Sequence, residues 1–323
     1  MKSISVRRQN QQPTALTVLP TPEELAGQTA AFFQKGIEGA KNTRTAYTSD
    51  IALLRGWLRQ HQLADLPLTP VTLATYLADL ATDHKWATII RRLAAIRKWH
   101  RLYKQPDPGR DEGVSTVLEG IKRTIGTEPD QAPAFDLTTY KTIIRAAPAT
   151  VTGIRDRTLL LVGFAGALRR SELVSLDIEG VQFTSKGAIL TYRGSKTNQY
   201  GHTEQKALFF SSDQDTCPVR SLQTYIAGLG RTTGPLFVRI RKGEQITAER
   251  LSDKQVDRTV KAYLGIVYSA HSLRASFVTV AKRNGADDSK IMQQTKHRTR
   301  TMIDRYTRIQ QVEEHNAAGE LGL

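Results

Sequence analysis

Between Gly126 and Ala134 the chain reads GTEPDQAPA. Two prolines, one glycine and two acids in this stretch stop a helix and leave nothing to pack, so it reads as a linker. It divides a chain of 323 residues into two segments, each of domain length. Helical periodicity runs through the first segment, whereas helix and strand patterns mix in the second. The expected fold is mainly α with a small β-hairpin or sheet, in two domains. The expected boundaries are a flexible N-terminal arm at 1–20, a helical domain at 21–125, the linker at 126–135, and an α+β domain with a C-terminal tail at 136–323.

In the first segment, Pro22 followed by Glu23 and Glu24 marks a helix start, with an end near Lys35. Thr43 caps a helix to about Gln62, with Tyr47, Ile51, Leu54 and Trp57 at helical spacing. Thr69-Pro70 opens another, with Leu73, Tyr76, Leu77 and Leu80 inward. Trp86 to Tyr103 follows, striped by Ile89, Leu93, Ile96 and Trp99, and GVSTVLEGIKRTI ends near Ile125. This is a small helical bundle. Arg44, Arg91, Arg92, Lys98 and Arg101 supply basic faces that suit contact with a polyanion.

Charge supports that partner. The net charge is +15, with 18 Lys+Arg against 13 Asp+Glu through Asp130 and 28 against 18 beyond it. A basic surface spread over both segments points first to nucleic acid. Other classes fall away. No segment approaches ~18 uninterrupted apolar residues, so no membrane span is expected. The start, MKSISVRRQNQQPTALTVLP, lacks the apolar core of a secretory signal. A single cysteine, Cys217, rules out an internal disulfide framework or a cysteine-rich zinc site and fits a reducing, cytoplasmic setting. No Asp/Glu set has Mg²⁺ spacing and no phosphate-binding P-loop occurs, so neither metal nor cofactor is expected.

In the second segment Asp136 caps a helix, and DRTLLLVGFAGAL is apolar enough to be buried. It ends at GALRRSEL, where Arg169 precedes a short helix beginning at Ser171 and Glu172. VQFT and AILTYRG form a hairpin, Lys196 lies at the turn beyond it, and KALFF is a third strand. Cys217-Pro218 leads into another helix, a short strand is expected at Leu236 to Ile240, and Ser252 to Leu264 is helical. Last comes HSLRASFVTVAKRNGADDSKIMQQTKHRTRTMIDRY. His271 and Arg274, three apart, face the same way on a helix and suit an anionic oxygen with a proton donor or acceptor beside it. Asn284-Gly285 stops that helix, Asp287-Asp288-Ser289 starts the next, and His297 and Tyr306 follow.

Arg169, Lys196, His271, Arg274, His297 and Tyr306, in this order and in the contexts GALRRSEL, RGSKTNQ, HSLRASF, QTKHRT and DRYTR, resemble the catalytic domain of tyrosine recombinases, the phage integrase family. The helical segment resembles that family's core-binding domain. The resemblance spans most of the chain and implies a two-domain, C-shaped clamp on DNA. It implies that Tyr306 attacks a DNA phosphodiester, giving a 3′-phosphotyrosyl link and a free 5′ hydroxyl, without metal or ATP. Arg169, Arg274 and His297 would hold the phosphate, Lys196 would protonate the leaving oxygen, and His271 would take the tyrosine proton. Glu172 would support these groups. The implied partner is double-stranded DNA with an inverted-repeat site, bound by a homotetramer that exchanges C-terminal tails and passes through a Holliday junction, in the cytoplasm at the nucleoid of a bacterial or phage-infected cell. A type IB topoisomerase-like relaxing enzyme and a DNA-binding protein without cleavage are the alternatives. The family usually has glycine before the second histidine and often before the first; here Lys296 and Ala270 stand there, and Lys296 adds a charge that suits DNA. Arg170 competes with Arg169, and Lys186 or Lys206 with Lys196.

Overall fold

The computed structural model describes residues 40–128, 131–193, 203–297 and 299–303. The expected arm at 1–20, the helix from Pro22 to Lys35, Lys196, Tyr306 and the C-terminal tail lie outside the described residues. The chain divides into two compact units, residues 1–129 and 130–323.

The first unit contains α1 (Lys41–Gln60), α2 (Pro70–Leu80), α3 (Trp86–Leu102) and α4 (Glu112–Ile125). Helix α2 starts where its cap dictates: Thr69 Oγ1 accepts from the Thr72 amide at 3.1 Å, and Pro70 needs no donor at the first position. Asp111 does the same for α4, accepting from Gly113 N at 2.8 Å. Helix α1 differs from expectation. It begins at Lys41 behind Ala40, which gives no side-chain cap, and Thr43 lies inside its first turn. Leu54, Leu58, Leu73, Leu77, Ile89 and Ile96 form the heart of the core.

The second unit runs through α5 (Leu137–Arg145), α6 (Val151–Ala165), α7 (Arg170–Ser175), strands β1 (Val181–Thr184), β2 (Gly187–Arg193) and β3 (Thr203–Phe209), then α8 (Pro218–Leu229). Strands β4 (Val238–Arg241) and β5 (Gln245–Arg250) follow, then α9 (Asp253–Leu264), α10 (Ala270–Arg283) and α11 (Asp288–Thr295). The first three strands are an antiparallel meander in the order β1-β2-β3, with Leu190 opposite Lys206. Helix α6 is buried along most of its length and packs on α8 and α10. Gly153 lets its first turn reach Pro148, whose carbonyl oxygen would lie 2.1 Å from an added Cβ.

The second hairpin, β4-β5, corrects the expected lone strand. Its turn holds Gly243 and Glu244, both at positive φ. The β5 sequence QITAER is polar and mostly exposed, so it carried no apolar alternation to announce it. The turn also serves α6: Glu244 accepts from Thr152 N at 2.6 Å and from its hydroxyl at 3.0 Å, at the start of that helix.

Candidate active site

The site is built on the turn between α6 and α7. Ala167 there has a φ of 46°, a left-handed conformation unfavourable for a residue with a side chain. Its carbonyl is pinned by two cations: Arg274 Nη1 donates to it at 2.9 Å and Lys206 Nζ at 3.2 Å. Lys206 also donates to Gly166 O at 3.0 Å.

Arg169 follows directly. Its amide donates to Glu172 Oε2 at 2.9 Å and its Nη1 to Oε1 at 2.5 Å, so one carboxylate fixes both backbone and guanidinium. Glu172 is fully buried, whereas the Arg169 side chain keeps 18% of its surface open. Arg170 points elsewhere, to Asp253 at 3.2 Å on an exposed surface, which separates the two neighbouring arginines. Lys206 Nζ lies 4.0 Å from Glu172 Oε2.

Arg274 is 1% exposed and also donates from Nη2 to Thr295 O, tying α10 to the end of α11. His271, in the first turn of α10, is exposed. The two were expected to face the same way. A spacing of three turns the helix about 60° short of a full circle, and the boundary of burial passes between them. Ala270 N donates to Asp257 Oδ1 at 3.0 Å, fixing where α10 begins.

His297 is buried just past α11. The Thr295 hydroxyl lies 2.7 Å from Ile291 O, and a carbonyl only accepts, so its proton goes there. The same hydroxyl oxygen, 3.0 Å from His297 Nδ1, must therefore accept from the ring. Neutral His297 thus carries its proton on Nδ1, and Nε2 is an acceptor. Burial first, then Arg274, Arg169, His271 and Lys206, push its pKa down to about 4. Burial also pushes Lys206 down to about 7; Glu172 opposes the shift and Arg274 and Arg169 add to it. These effects place Arg169, Lys206, His271 and Arg274 within electrostatic reach of His297, and Arg169 and Arg274 within reach of Lys206. Such a cluster stabilises an anion that brings negative charge among them.

Lys206 was read only as an alternative to Lys196; the structure puts it inside the cluster and leaves Lys186 exposed at the β1-β2 turn. Lys296 is exposed at the end of α11 with φ 55°, a left-handed cap position that favours glycine.

The basic residues of the first unit separate into two groups. Arg44 and Lys98 line a groove of about 510 Å³ between α1 and α3, together with Tyr47, Arg55, Arg59 and Trp99. Arg101 is exposed on α3. Arg55 and Arg59 were missed, although their spacing from Arg44 places them along one face of α1. Arg91 pairs with Asp50. Arg92 is a correction. It is buried, donates to Tyr76 Oη at 3.2 Å, lies 2.9 Å from His84 Nε2 and 3.8 Å from Asp50, so its charge serves the interior rather than a bound partner.

Comparison with known proteins gives the family. Residues 134–313 match the Phage integrase family, and residues 33–105 match the Phage integrase, N-terminal SAM-like domain. The chain is 35% identical over 277 residues to an integrase/recombinase XerD homolog of Selenomonas ruminantium, covering 83% of this chain and 81% of the relative. It is 26% identical over 261 residues to tyrosine recombinase XerC of Myxococcus xanthus, covering 77% and 80%. Its fold resembles the XerH site-specific recombinase bound to a palindromic difH substrate, with a TM-score of 0.63, 15% identity, and coverage of 93% of this chain and 85% of that one. The chain belongs to the phage integrase family, the tyrosine recombinases.

Proposed function

We propose that this chain is a site-specific DNA recombinase that cuts and rejoins strands through a covalent bond between Tyr306 and the 3′ phosphate. One observation carries the reading: Arg169, Arg274 and His297 gather with Lys206 around the Ala167 turn, an excess of positive charge with Glu172 as its buried carboxylate. A phosphodiester in a pentacoordinate transition state is the anion this cluster suits. The two guanidiniums hold its non-bridging oxygens and stabilise the charge that grows there.

In the forward step the Tyr306 oxygen bonds to phosphorus and the bond to the 5′ oxygen breaks. His271 receives the phenol proton and Lys196 gives one to the departing 5′ oxygen. The reverse step, with the 5′ hydroxyl of another strand, restores the phosphodiester without ATP. Because two permanently charged guanidiniums neutralise the phosphate, no metal ion enters the scheme. The state of His297 adds a condition. Neutral, with Nδ1 committed to Thr295, it offers phosphate no proton from Nε2. An arriving phosphate offsets the surrounding positive charge and raises its pKa, so His297 takes up a proton and then donates.

In this reading residues 21–125 form the core-binding domain, with Arg44, Lys98 and Arg101 on phosphates alongside Arg55 and Arg59, and residues 136–323 form the catalytic domain, with Lys296 on phosphate. Two-fold symmetric DNA with inverted repeats seats two protomers. Two such complexes make the tetramer that exchanges strands through a Holliday junction. An apolar groove of about 560 Å³ in the second unit, lined by Tyr140, Phe164, Phe209 and Phe277 among others, suits the C-terminal tail of a neighbouring protomer. No described helix is long and apolar enough to cross a membrane, and a DNA substrate sets the work in the cytoplasm, at the nucleoid.

The test is covalent trapping on DNA nicked beside the scissile phosphate, so that the short 5′ fragment diffuses away. Wild type should give a denaturation-resistant adduct in EDTA, and Tyr306→Phe should give none. An adduct that survives Tyr306→Phe would remove the nucleophile, and an adduct that requires Mg²⁺ would remove the metal-free scheme.

A further inference from the structure

Lys206 makes and breaks no bond in the steps above, yet it is a buried ammonium. Its residue exposure is 3%, in a strand where the opposite residue, Leu190, is wholly buried. An ammonium has three N–H donors. Three oxygens stand around this one: Gly166 O at 3.0 Å, Ala167 O at 3.2 Å and Glu172 Oε2 at 4.0 Å. Each of the last two also serves an arginine of the site. Ala167 O accepts from Arg274 Nη1, and Glu172 receives both the amide and the guanidinium of Arg169.

We propose that Lys206 is a positioning residue for strand cleavage, the part that holds Arg169 and Arg274 in register across the α6–α7 turn. It acts through Glu172 on one side and through the Ala167 carbonyl on the other. This rests on the recombinase reading of the site. Three observations support it. First, Ala167 keeps its left-handed backbone only because its surroundings hold it there, and the two cations on its carbonyl are part of that hold. Second, the side chain of Lys206 is 1% exposed and its donors face protein oxygens, so it cannot reach a leaving 5′ oxygen as Lys196 would. Third, an apolar residue of the same length would fill this place without the desolvation that pushes the Lys206 pKa down to about 7. Packing alone therefore does not account for a lysine.

The experiment measures three quantities on wild type, Lys206→Met and Lys206→Arg: thermal stability, affinity for nicked site DNA, and the single-turnover rate of adduct formation at saturating DNA. Lys206→Met should lower the melting temperature only slightly, because Glu172 keeps Arg169 and the Ala167 carbonyl keeps Arg274 as partners while the desolvated cation is gone. Its DNA affinity should stay within about threefold, since most phosphate contacts lie elsewhere. Its cleavage rate should fall about 100-fold, the effect of displacing aligned groups by an ångström or less. Lys206→Arg, which keeps the charge, should recover about tenfold of that loss. A wild-type rate in Lys206→Met overturns the inference and leaves the recombinase reading intact. So does a fall in rate matched by equal losses of affinity and stability, which is the behaviour of packing. If Lys206→Met does not fold, Lys206→Gln replaces it with the same expected split of rate from affinity. Wild type is the control for the reading itself: if it forms no adduct on any nicked site it binds, the reading fails and the inference with it.

Discussion

Arg92 in the first unit and Arg274 in the second are both buried arginines in polar clusters, with 9% and 1% of their surface exposed. Their surroundings differ in charge. Arg92 lies beside Asp50, Tyr76 and His84, and the second cation on Asp50, Arg91, keeps 41% of its side chain in solvent. Interior charge there is close to balanced. Arg274 shares its cluster with Arg169, Lys206, His271 and His297, and Glu172 is the buried carboxylate of that group. Burial, and after it the neighbouring cations, lowers the proton affinity of Lys206 and His297 there. Burial of an arginine is therefore no sign of function by itself. Unbalanced positive charge is, because folding gains nothing from it until an anion arrives.

The largest expected effect comes from Arg274→Gln. Adduct formation should fall about 1000-fold, as when a preorganised oxyanion donor is removed, with DNA affinity changed far less. Normal cleavage by this variant would erase the distinction between the clusters. Arg92→Met should do the reverse. It breaks a buried pair and should cost about 3 kcal/mol in urea unfolding, while the adduct rate per folded molecule stays that of wild type. A cleavage defect without a stability defect would put Arg92 back at the DNA.

The pH dependence of stability sharpens the same contrast. The folded pKa of His297, about 4, lies below the ordinary histidine value of 6.5. As pH falls through that window the unfolded chain takes up the proton first, so stability is lost, by at most about 3 kcal/mol from this group. Above the window the contribution is fully present. His297→Gln should flatten the unfolding free energy between pH 6.5 and pH 4 relative to wild type, and an unchanged slope would contradict an unbalanced cluster. The smallest effect is that of Lys296→Gly. Lys296 holds φ 55° at the end of α11, so glycine should leave stability unchanged or raise it by up to about 1 kcal/mol. A loss of DNA affinity without a loss of fold in that variant would assign the lysine to phosphate.

Much of the second unit was legible in the chain. Arg169, Arg274 and His297 meet because caps and breaks that can be read in sequence, at Asp287 and Asn284-Gly285, set α10 and α11 where they are. Arg92 was misread although it sits three residues from Ile89 and four from Ile96, on the apolar stripe itself. A charged residue on such a stripe is usually snorkelling, and only the positions of Tyr76, His84 and Asp50 reveal its partners. Lys206 shares its strand parity with buried Leu208, which was a signal that it points inward. That it meets the α6–α7 turn depends on tertiary packing, which spacing along the chain does not encode. Strand β5 was invisible because both of its faces are largely wet.

The most direct measurement is the titration of His297 by NMR in Tyr306→Phe, which cannot cleave in this scheme, with His297→Gln to assign the signal. Spectra would be taken without DNA and with saturating site DNA. The expected result is a pKa near 4 in the protein alone and a rise to about 7 or above with DNA, as a phosphate enters the cluster. An unchanged titration in a complex that is demonstrably bound would mean that the phosphate lies elsewhere, and that the cations around Ala167 do not form the site of cleavage.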